Sequence, residues 1–434
     1  MLDLTRDPDL AVTFCGVRSP NPFWLASAPP TNTEGQVRRA FEAGWGGAVW
    51  KTITTQPIRN VSSRYGSIDF EGRKVIGLNN IELVSDRSIE DNLAEIARIK
   101  REFPDRALFV SLMEESRRDS WHAIVKRTED AGADGLELNF GCPHGMNERG
   151  MGSAVGQVPE YAARITGWVK EVARTPVVVK LTPNVADVTT AGRAVVEAGA
   201  DALSLINTIN SIMGVDLNTL APIPSVAGLG THGGYCGPAV KPIALNMVAS
   251  LAGDPAINVP LSGIGGISSW SDAAEFILLG ATTVQLCTAV MHHGFRIIDG
   301  LTSGLASWLR SHGAPNLAPL IARSVPRLRP WSELDPGYRV IASIDQSSCI
   351  HCGLCYASCE DGCHQAIRRD RVALADLGSG STIERSGGYR ILPGAGDGYL
   401  NRFEVDIDAC VGCNMCSLVC PVPGCITMRD VTPT

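Results

Sequence analysis

Eight of the fourteen cysteines of this 434-residue chain fall into two runs of the same spacing, and that spacing dictates what the C-terminal part can fold around. The first run is Cys349-Ile-His-Cys352-Gly-Leu-Cys355-Tyr-Ala-Ser-Cys359. The second is Cys410-Val-Gly-Cys413-Asn-Met-Cys416-Ser-Leu-Val-Cys420-Pro421. Both follow C-x2-C-x2-C-x3-C, the spacing that holds a pair of [4Fe–4S] clusters. Two-residue gaps let three thiolates converge on one cluster, while the fourth cysteine of each run reaches the other cluster. Cys349, Cys352, Cys355 and Cys420 are therefore assigned to one cluster, and Cys410, Cys413, Cys416 and Cys359 to the other. Zinc held by paired C-x2-C motifs needs neither the third cysteine nor the fourth at x3, twice over. Glu360 stands where a proline often follows such a run. The interval between the runs is Gly/Ser-rich from Gly378 to Gly398 and reads as a surface insertion at about 372–400. Cys363 and Cys425 lie outside the pattern and read as structural thiols, with Cys363 also a competitor of Cys359.

The rest of the composition narrows the class. Hydrophobic residues make up 44% and charged residues 19%, enough apolar material for a large core. A net charge of −7 argues against nucleic acid or an anionic membrane as the main partner. The start, MLDLTRDPDLAVTFCGV, has no basic stretch followed by an apolar one, so no secretory signal is expected. No apolar run approaches the roughly 18 residues of a membrane span. A cytoplasmic protein is expected, with its cysteines serving metal rather than disulfides.

One local pattern recurs in the first 310 or so residues. It appears as Phe41-Glu-Ala-Gly44 before Ala48–Lys51, as Glu129-Asp-Ala-Gly132 before Gly135–Asn139, as Val196-Glu-Ala-Gly199 before Ala202–Asn207, and as Phe276-Ile-Leu-Leu-Gly280 before Thr283–Cys287. Each is a helix stopped by a glycine and followed by a short apolar strand. The strands read as Trp24–Ala28, Ala48–Thr52, Ala107–Leu112, Gly135–Phe140, Val177–Thr182, Ala202–Asn207, Asn258–Ser262 and Thr283–Cys287. Helices such as Ile89–Glu102, Pro159–Ala173 and Pro242–Ala252 fill the intervals. Eight βα units predict a (β/α)8 TIM barrel, here residues 1–325, with the iron–sulfur domain at 326–434. A dinucleotide fingerprint, Gly228-Leu-Gly230-Thr-His-Gly233, follows a Pro-rich loop rather than a strand and is set aside.

In such a barrel the active site is built from the C-terminal strand ends. Those ends carry Ser27, Lys51, Asn139, Lys180, Asn207 with Thr208, Gly263-Ile-Gly265-Gly266, and Thr288. The last two elements form the usual phosphate site of the fold, to which Gly233-Gly234 can add amides. A phosphate site in an iron–sulfur protein suggests FMN, which joins single-electron carriers to two-electron chemistry. Lys51 or Lys180 would stabilise negative charge on its reduced pyrimidine ring. The stretch Asn139-Phe-Gly-Cys142-Pro-His144-Gly-Met-Asn-Glu-Arg-Gly-Met-Gly152 reads as a movable lid in which Cys142 can give or take a proton, with His144 as a rival acid.

That lid, Ala-Ser-Ala-Pro near the start, Gly77-Leu-Asn-Asn80-Ile-Glu-Leu, Lys180-Leu-Thr-Pro-Asn and Asn207-Thr resemble the dihydropyrimidine dehydrogenase family over nearly the whole chain. The resemblance implies a dihydroorotate dehydrogenase-like FMN barrel followed by a bacterial-type ferredoxin domain with two [4Fe–4S] clusters. FMN would contact Ala26, Ser27, Lys51, Asn139, Lys180, Gly234, Gly265, Gly266 and Thr288. Uracil or thymine would be held by Asn80, Asn139, Asn207 and Thr208. Reduced FMN would deliver hydride to C6 while Cys142 protonates C5. The chain resembles the catalytic subunit of a bacterial two-subunit enzyme, the core of a heterotetramer whose partner flavoprotein carries FAD and takes electrons from NAD(P)H. Gly141 departs from the family, which usually has serine there, and the inter-cluster stretch is longer. A dihydroorotate dehydrogenase-like enzyme acting on another cyclic amide is the alternative.

Overall fold

The glycine closing each repeated helix lies in the left-handed region of the computed structural model, which describes residues 8–56, 58–68, 76–373 and 399–432. The φ angle is +109° at Gly44, +94° at Gly132, +98° at Gly199 and +117° at Gly280. A side chain with a Cβ costs about 1–2 kcal/mol there, so glycine lets the chain leave each helix and enter the next strand at once. The chain divides into two compact units, Met1–Leu328 and Arg329–Thr434.

In the first unit eight strands close into a barrel. They are β1 (Phe23–Leu25), β2 (Gly47–Ile53), β3 (Ala107–Leu112), β4 (Gly135–Asn139), β5 (Val177–Lys180), β6 (Ala202–Leu205), β7 (Leu261–Ile264) and β8 (Ala281–Leu286). Each pairs in parallel with its sequence neighbours, and β8 returns to β1. The predicted (β/α)8 barrel is therefore the observed one. Strand seven begins later than the sequence suggests, because Pro260 has no N–H to give the ladder; its carbonyl accepts the N–H of Leu203 and pairing starts at Leu261.

Alternation along these strands sorts the core into two compartments. Leu108, Val110, Leu136, Leu138, Val177, Val179, Leu203 and Leu205 pack outward with the helices. Their neighbours point inward. At the strand starts Trp24, Val49, Ala107, Phe109, Val178 and Ala202 form an apolar plug with Phe14, whose ring meets Trp24 edge-on at 5.5 Å. Phe14 belongs to a hairpin, Val12–Phe14 against Val17–Ser19, placed ahead of the barrel. One layer further along, the inward side chains turn polar. Ser204 Oγ donates to Glu137 Oε2 at 2.9 Å, and Gln285 Nε2 reaches the same oxygen at 3.4 Å from the far side of the barrel and Ser262 Oγ at 3.1 Å.

A four-stranded antiparallel sheet stands beyond the strand ends, in the order Ile209–Ser211, Gly233–Cys236, Leu78–Asn80, Tyr65–Ser67. None of these segments is among the strands expected from the sequence, since each is only three or four residues long and finds its partners far away in the chain.

Among its described residues the second unit has two strand pairs and two α-helices. β9 (Val340–Ile344) pairs antiparallel with β12 (Ile426–Asp430), and β10 (Ile367–Ala373) with β11 (Tyr399–Val405). The Gly/Ser-rich insertion between β10 and β11 lies outside the described residues, but the ladder places Ala373 opposite Tyr399 at its two ends. Helices Leu354–Gly362 and Met415–Leu418 each carry cysteines of one run. Among the described residues no helix is long and apolar enough to cross a membrane.

The repeat glycines differ in what surrounds them. A Cβ on Gly44 meets nothing within 4 Å, whereas one on Gly280 stands 2.4 Å from Cβ of Ala252. Gly44→Ala is expected to cost about 1 kcal/mol from backbone strain alone. Gly280→Ala adds overpacking and should cost about 3 kcal/mol or more. Denaturant unfolding of the two variants, followed by near-UV circular dichroism, checks the order; equal losses would show that Ala252 can give way.

Candidate active site and iron–sulfur centres

The strand ends open into a cavity of about 340 Å³, a size suited to a bound small molecule. Ala26, Ser27, Lys51, Asn80, Asn139, Cys142, Lys180, Asn207, Thr208, Gly265, Gly266 and Thr288 all line it. Gly234, expected to hold the cofactor, does not. It is the middle residue of the covering sheet, opposite Asn80 on one side and Asn210 on the other. A Cβ there would stand 2.1 Å from Oγ1 of Thr208, so its glycine serves the seating of Thr208 over the site.

Of the amides expected to hold a ligand, Asn139 and Asn207 are tied into one chain of hydrogen bonds, and Asn80 Nδ2 donates separately to the Gly234 carbonyl at 3.3 Å. Thr52 Oγ1 sits 3.1 Å from Ser27 Oγ and 2.9 Å from Ser111 Oγ, and accepts from Asn139 Nδ2 at 2.9 Å. Asn139 Oδ1 then accepts from Asn207 Nδ2 at 2.9 Å, and Asn207 Oδ1 from the Thr208 N–H at 2.8 Å. Each amide is thus locked in one orientation, with its unused donors and acceptors fixed in space. Thr52 was missed in the sequence reading, although it follows Lys51 directly.

At the other end of the cavity Gly265 and Gly266 leave β7 with φ of +128° and +76°. Side chains on them would stand 2.8 Å from Cβ of Ala244 and 2.7 Å from Cβ of Lys241. The bare backbone therefore lies directly against helix Lys241–Ala252, beside the start of helix Thr288–His293. This is the glycine-rich junction that suits a phosphate monoester, so the barrel fits FMN on its own geometry.

Two lysines enter from opposite elements, both more than nine-tenths buried. Lys51 binds Glu82, whose carboxylate is also approached by Arg64 at 3.4 Å and accepts from the Tyr65 hydroxyl. Burial and that carboxylate together push the Tyr65 phenol up. Glu82 and Tyr65 were missed, although Glu82 lies in the quoted segment with Asn80. Lys180 lies 3.5 Å from Glu137 Oε1.

The lid brings Cys142 and His144 to the cavity wall. Cys142 is buried, donates to the His144 carbonyl at 3.5 Å, and is pushed up to about 11 by burial. Its thiol is therefore neutral at ordinary pH. His144 Nε2 lies 3.0 Å from the Glu82 carbonyl, which can only accept, so Nε2 carries the hydrogen. Burial lowers its pKa, keeping the ring neutral, and Nδ1 is buried without a partner. In that state His144 offers an acceptor, and Cys142 offers the proton.

In the second unit the two runs share a backbone curl. His351 and Gly353 flank Cys352 with φ of +58° and +80°, and Gly412 and Asn414 flank Cys413 with +72° and +67°. Successive turns of this kind aim amides inward at an anion. Cys349, Cys352, Cys355 and Cys420 line one small cavity, while Cys359, Cys410, Cys413 and Cys416 line another. Helix Leu354–Gly362 presents Cys355 to the first and Cys359 to the second. Cys425 is buried beside the first cavity and donates to the Asp345 carbonyl at 3.6 Å. Cys363, read as a structural thiol, is only half-buried and edges the second cavity, because the helix ends one residue before it.

Fold and site together define a flavin-binding (β/α)8 oxidoreductase that carries its own iron–sulfur relay. A family profile for dihydroorotate dehydrogenase matches residues 9–309, and one for the 4Fe-4S dicluster domain matches residues 348–423. The chain is 40% identical over 360 residues to the NAD-dependent dihydropyrimidine dehydrogenase subunit PreA of Escherichia coli, covering 83% of this chain and 87% of that one. It is 44% identical over 317 residues to the chloroplastic dihydropyrimidine dehydrogenase (NADP(+)) of Arabidopsis thaliana, covering 70% and 74%. It is 35% identical over 316 residues to the catalytic subunit of dihydroorotate dehydrogenase B (NAD(+)) of Pyrococcus abyssi, covering 72% and 98%. The chain belongs to the dihydropyrimidine dehydrogenase family, built on the dihydroorotate dehydrogenase barrel. Its cofactors are FMN on the barrel and two [4Fe–4S] clusters on the second unit.

Cys359 and Cys363 can be told apart. Cys359 Sγ accepts the Ala366 N–H at 3.2 Å, the kind of bond that steadies a cluster thiolate. Cys359→Ser is expected to lower bound iron from about eight to about four per chain, while Cys363→Ser keeps about eight. Iron and acid-labile sulfide analysis of the purified variants decides it, and the reverse result would exchange their roles.

Proposed function

We propose that this chain reversibly reduces uracil or thymine to the 5,6-dihydropyrimidine, with electrons originating from NAD(P)H on a partner flavoprotein. The observation that carries this reading is the neutral, buried Cys142 thiol in the same cavity as the fixed amides of Asn80, Asn139 and Asn207. A neutral pyrimidine presents alternating carbonyls and N–H groups, which amides with locked donors and acceptors can match edge to edge. Asn80, Asn139, Asn207 and Thr208 hold the substrate in this reading. Ala26, Ser27, Lys51, Asn139, Lys180, Gly265, Gly266 and Thr288 hold the cofactor. When bound, FMN supplies two-electron chemistry at the substrate, and the clusters supply its electrons singly. Cys142 places its proton on C5 of the pyrimidine and recovers it in the reverse direction. His144 Nδ1 is free to accept a substrate N–H. The lid excludes water from the thiol, which keeps Cys142 protonated.

The printed name of the Escherichia coli relative describes an NAD-dependent enzyme with subunits, which supports a partner that carries the nucleotide site. A pair of these chains would form the core of the assembly, acting in the cytoplasm, where fourteen cysteines outside any disulfide are compatible with the reducing conditions. The alternative substrate is a carboxylated cyclic amide such as dihydroorotate, after which the 35% identical relative of Pyrococcus abyssi is named.

Cys142→Ala is expected to retain FMN and both clusters and to lose about 10²–10⁴-fold in uracil reduction. Full turnover in that variant would remove the assignment. Titration gives a second check. The acid form of Cys142 is the one needed for pyrimidine reduction, and its pKa is raised to about 11. Through this group, the rate of reduction stays level across neutral pH and falls only as pH passes about 11. Oxidation of the dihydropyrimidine needs the thiolate and should rise over the same interval. Stopped-flow flavin absorbance with uracil or dihydrouracil measures both, and a fall in reduction near pH 8 to 9 would point to an ordinary exposed thiol. Orotate perturbing the flavin spectrum where uracil does not would favour the other substrate.

A further inference from the structure

The polar layer beneath the cavity contains a charge that substrate and cofactor binding leave unexplained. Glu137 is 1% exposed, at the centre of β4 and two residues before Asn139. An isolated carboxylate at such a site is strongly disfavoured unless it is paired. Its Oε2 is satisfied by Ser204 and Gln285, but Oε1 has no hydrogen-bond donor. The nearest charge is Lys180 Nζ at 3.5 Å, and Lys180 is itself 5% exposed. Among the described residues this ion pair is the one polar partner recorded for the Lys180 ammonium, which lines the cavity. Lys51 differs, because it is bound to Glu82, a carboxylate shared with Arg64 and Tyr65.

The two lysines at the cavity are thus held in different ways. Lys51 is engaged by a group at the edge of the site, and Lys180 is steadied from below by a group that touches neither substrate nor cofactor. Glu137 is in turn fixed by hydroxyl and amide groups from β6 and β8, across the barrel lumen. That geometry keeps Glu137 from swinging towards Lys180 and consuming its remaining donors.

We propose that Glu137 is a positioning residue that holds Lys180 aimed into the cavity, and so sets the electron affinity of the flavin. This rests on the reading that FMN occupies the cavity with its pyrimidine ring near Lys180. The charge of Lys180 then stabilises the reduced cofactor, and Glu137 acts on the reaction only through Lys180.

The test is a redox titration of the holoenzyme against dyes of known potential, with FMN content measured alongside. Glu137→Gln keeps the volume and an oxygen for Ser204 but removes the charge. Lys180 should then lose its anchor and its aim into the cavity, and the reduced-to-oxidised flavin ratio at a fixed dye potential should fall at least about tenfold, close to 30 mV for two electrons. Glu137→Asp, which retains the charge on a shorter arm, should fall between Glu137→Gln and the unaltered protein, and it serves if the Gln variant does not fold. Lys180→Met should lower the potential as well, and combining it with Glu137→Gln should change it by much less than the sum of the two. A potential that rises in Glu137→Gln would show that Lys180 keeps its place without its partner, and would overturn the proposal. An unchanged potential, or strictly additive shifts, would do the same. If the unaltered protein binds no FMN, the cofactor reading fails instead, which is a different result from FMN binding with an unmoved potential.

Discussion

A parallel strand in a closed barrel must send every second side chain into a lumen too narrow for water, and the site depends on how this chain fills that space. Trp24, Phe109 and Phe14 occupy the starts of the strands. Their burial is a hydrophobic contribution with no chemistry, and it leaves the opposite end free. Further along, Glu137, Ser204, Ser262 and Gln285 are inward because they alternate with Leu136, Leu203, Leu261 and Val284, which the helices cover. Those polar groups bind one another across the lumen, with Glu137 Oε1 and Gln285 Oε1 left without a hydrogen-bond donor. The floor of the cavity is therefore a network rather than a set of separate residues.

The roof is made by segments that are distant in sequence. Residues 65–67, 78–80, 209–211 and 233–236 form one small sheet. That sheet brings Asn80 and Tyr65 over the strand ends that carry Lys51, Asn139 and Lys180. The lid closes the side. The resulting enclosure changes the chemistry of its members: the same burial that pushes the Cys142 thiol up depresses His144, so a neutral acid and a neutral acceptor stand together. Neither state is a property of cysteine or histidine alone.

The second unit solves its problem through covalent spacing. A cluster imposes the positions of its ligands, and helix Leu354–Gly362 holds cysteines belonging to two different sites. Cys355 and Cys359 are one helical turn apart and line different cavities. Little apolar packing is available to the unit, and its core includes the cysteines themselves with Ala342, Ile367, Phe403 and Ile426. Folding around the clusters is consequently inseparable from electron transfer in this part of the chain.

How much was legible follows from the distance over which each feature is specified. The cysteine spacing, the repeated helix-ending glycines and the polar strand ends are local, so the sequence alone determined the barrel, the dicluster unit and part of the cavity wall: Ser27, Lys51, Asn139, Lys180, Asn207 and Thr288. Glu137 was as visible in the sequence as Asn139, two positions on, but reading only strand ends passed over the layer beneath. Glu82, Tyr65 and Gly234 were different. Their positions depend on which loops pair, and the tertiary structure alone decided that Glu82 meets Lys51 and that Gly234 yields its space to Thr208. Short-range patterns record how a backbone turns; they carry no record of which distant side chain will fill the gap, because that is settled by packing and by the pairing of buried charge.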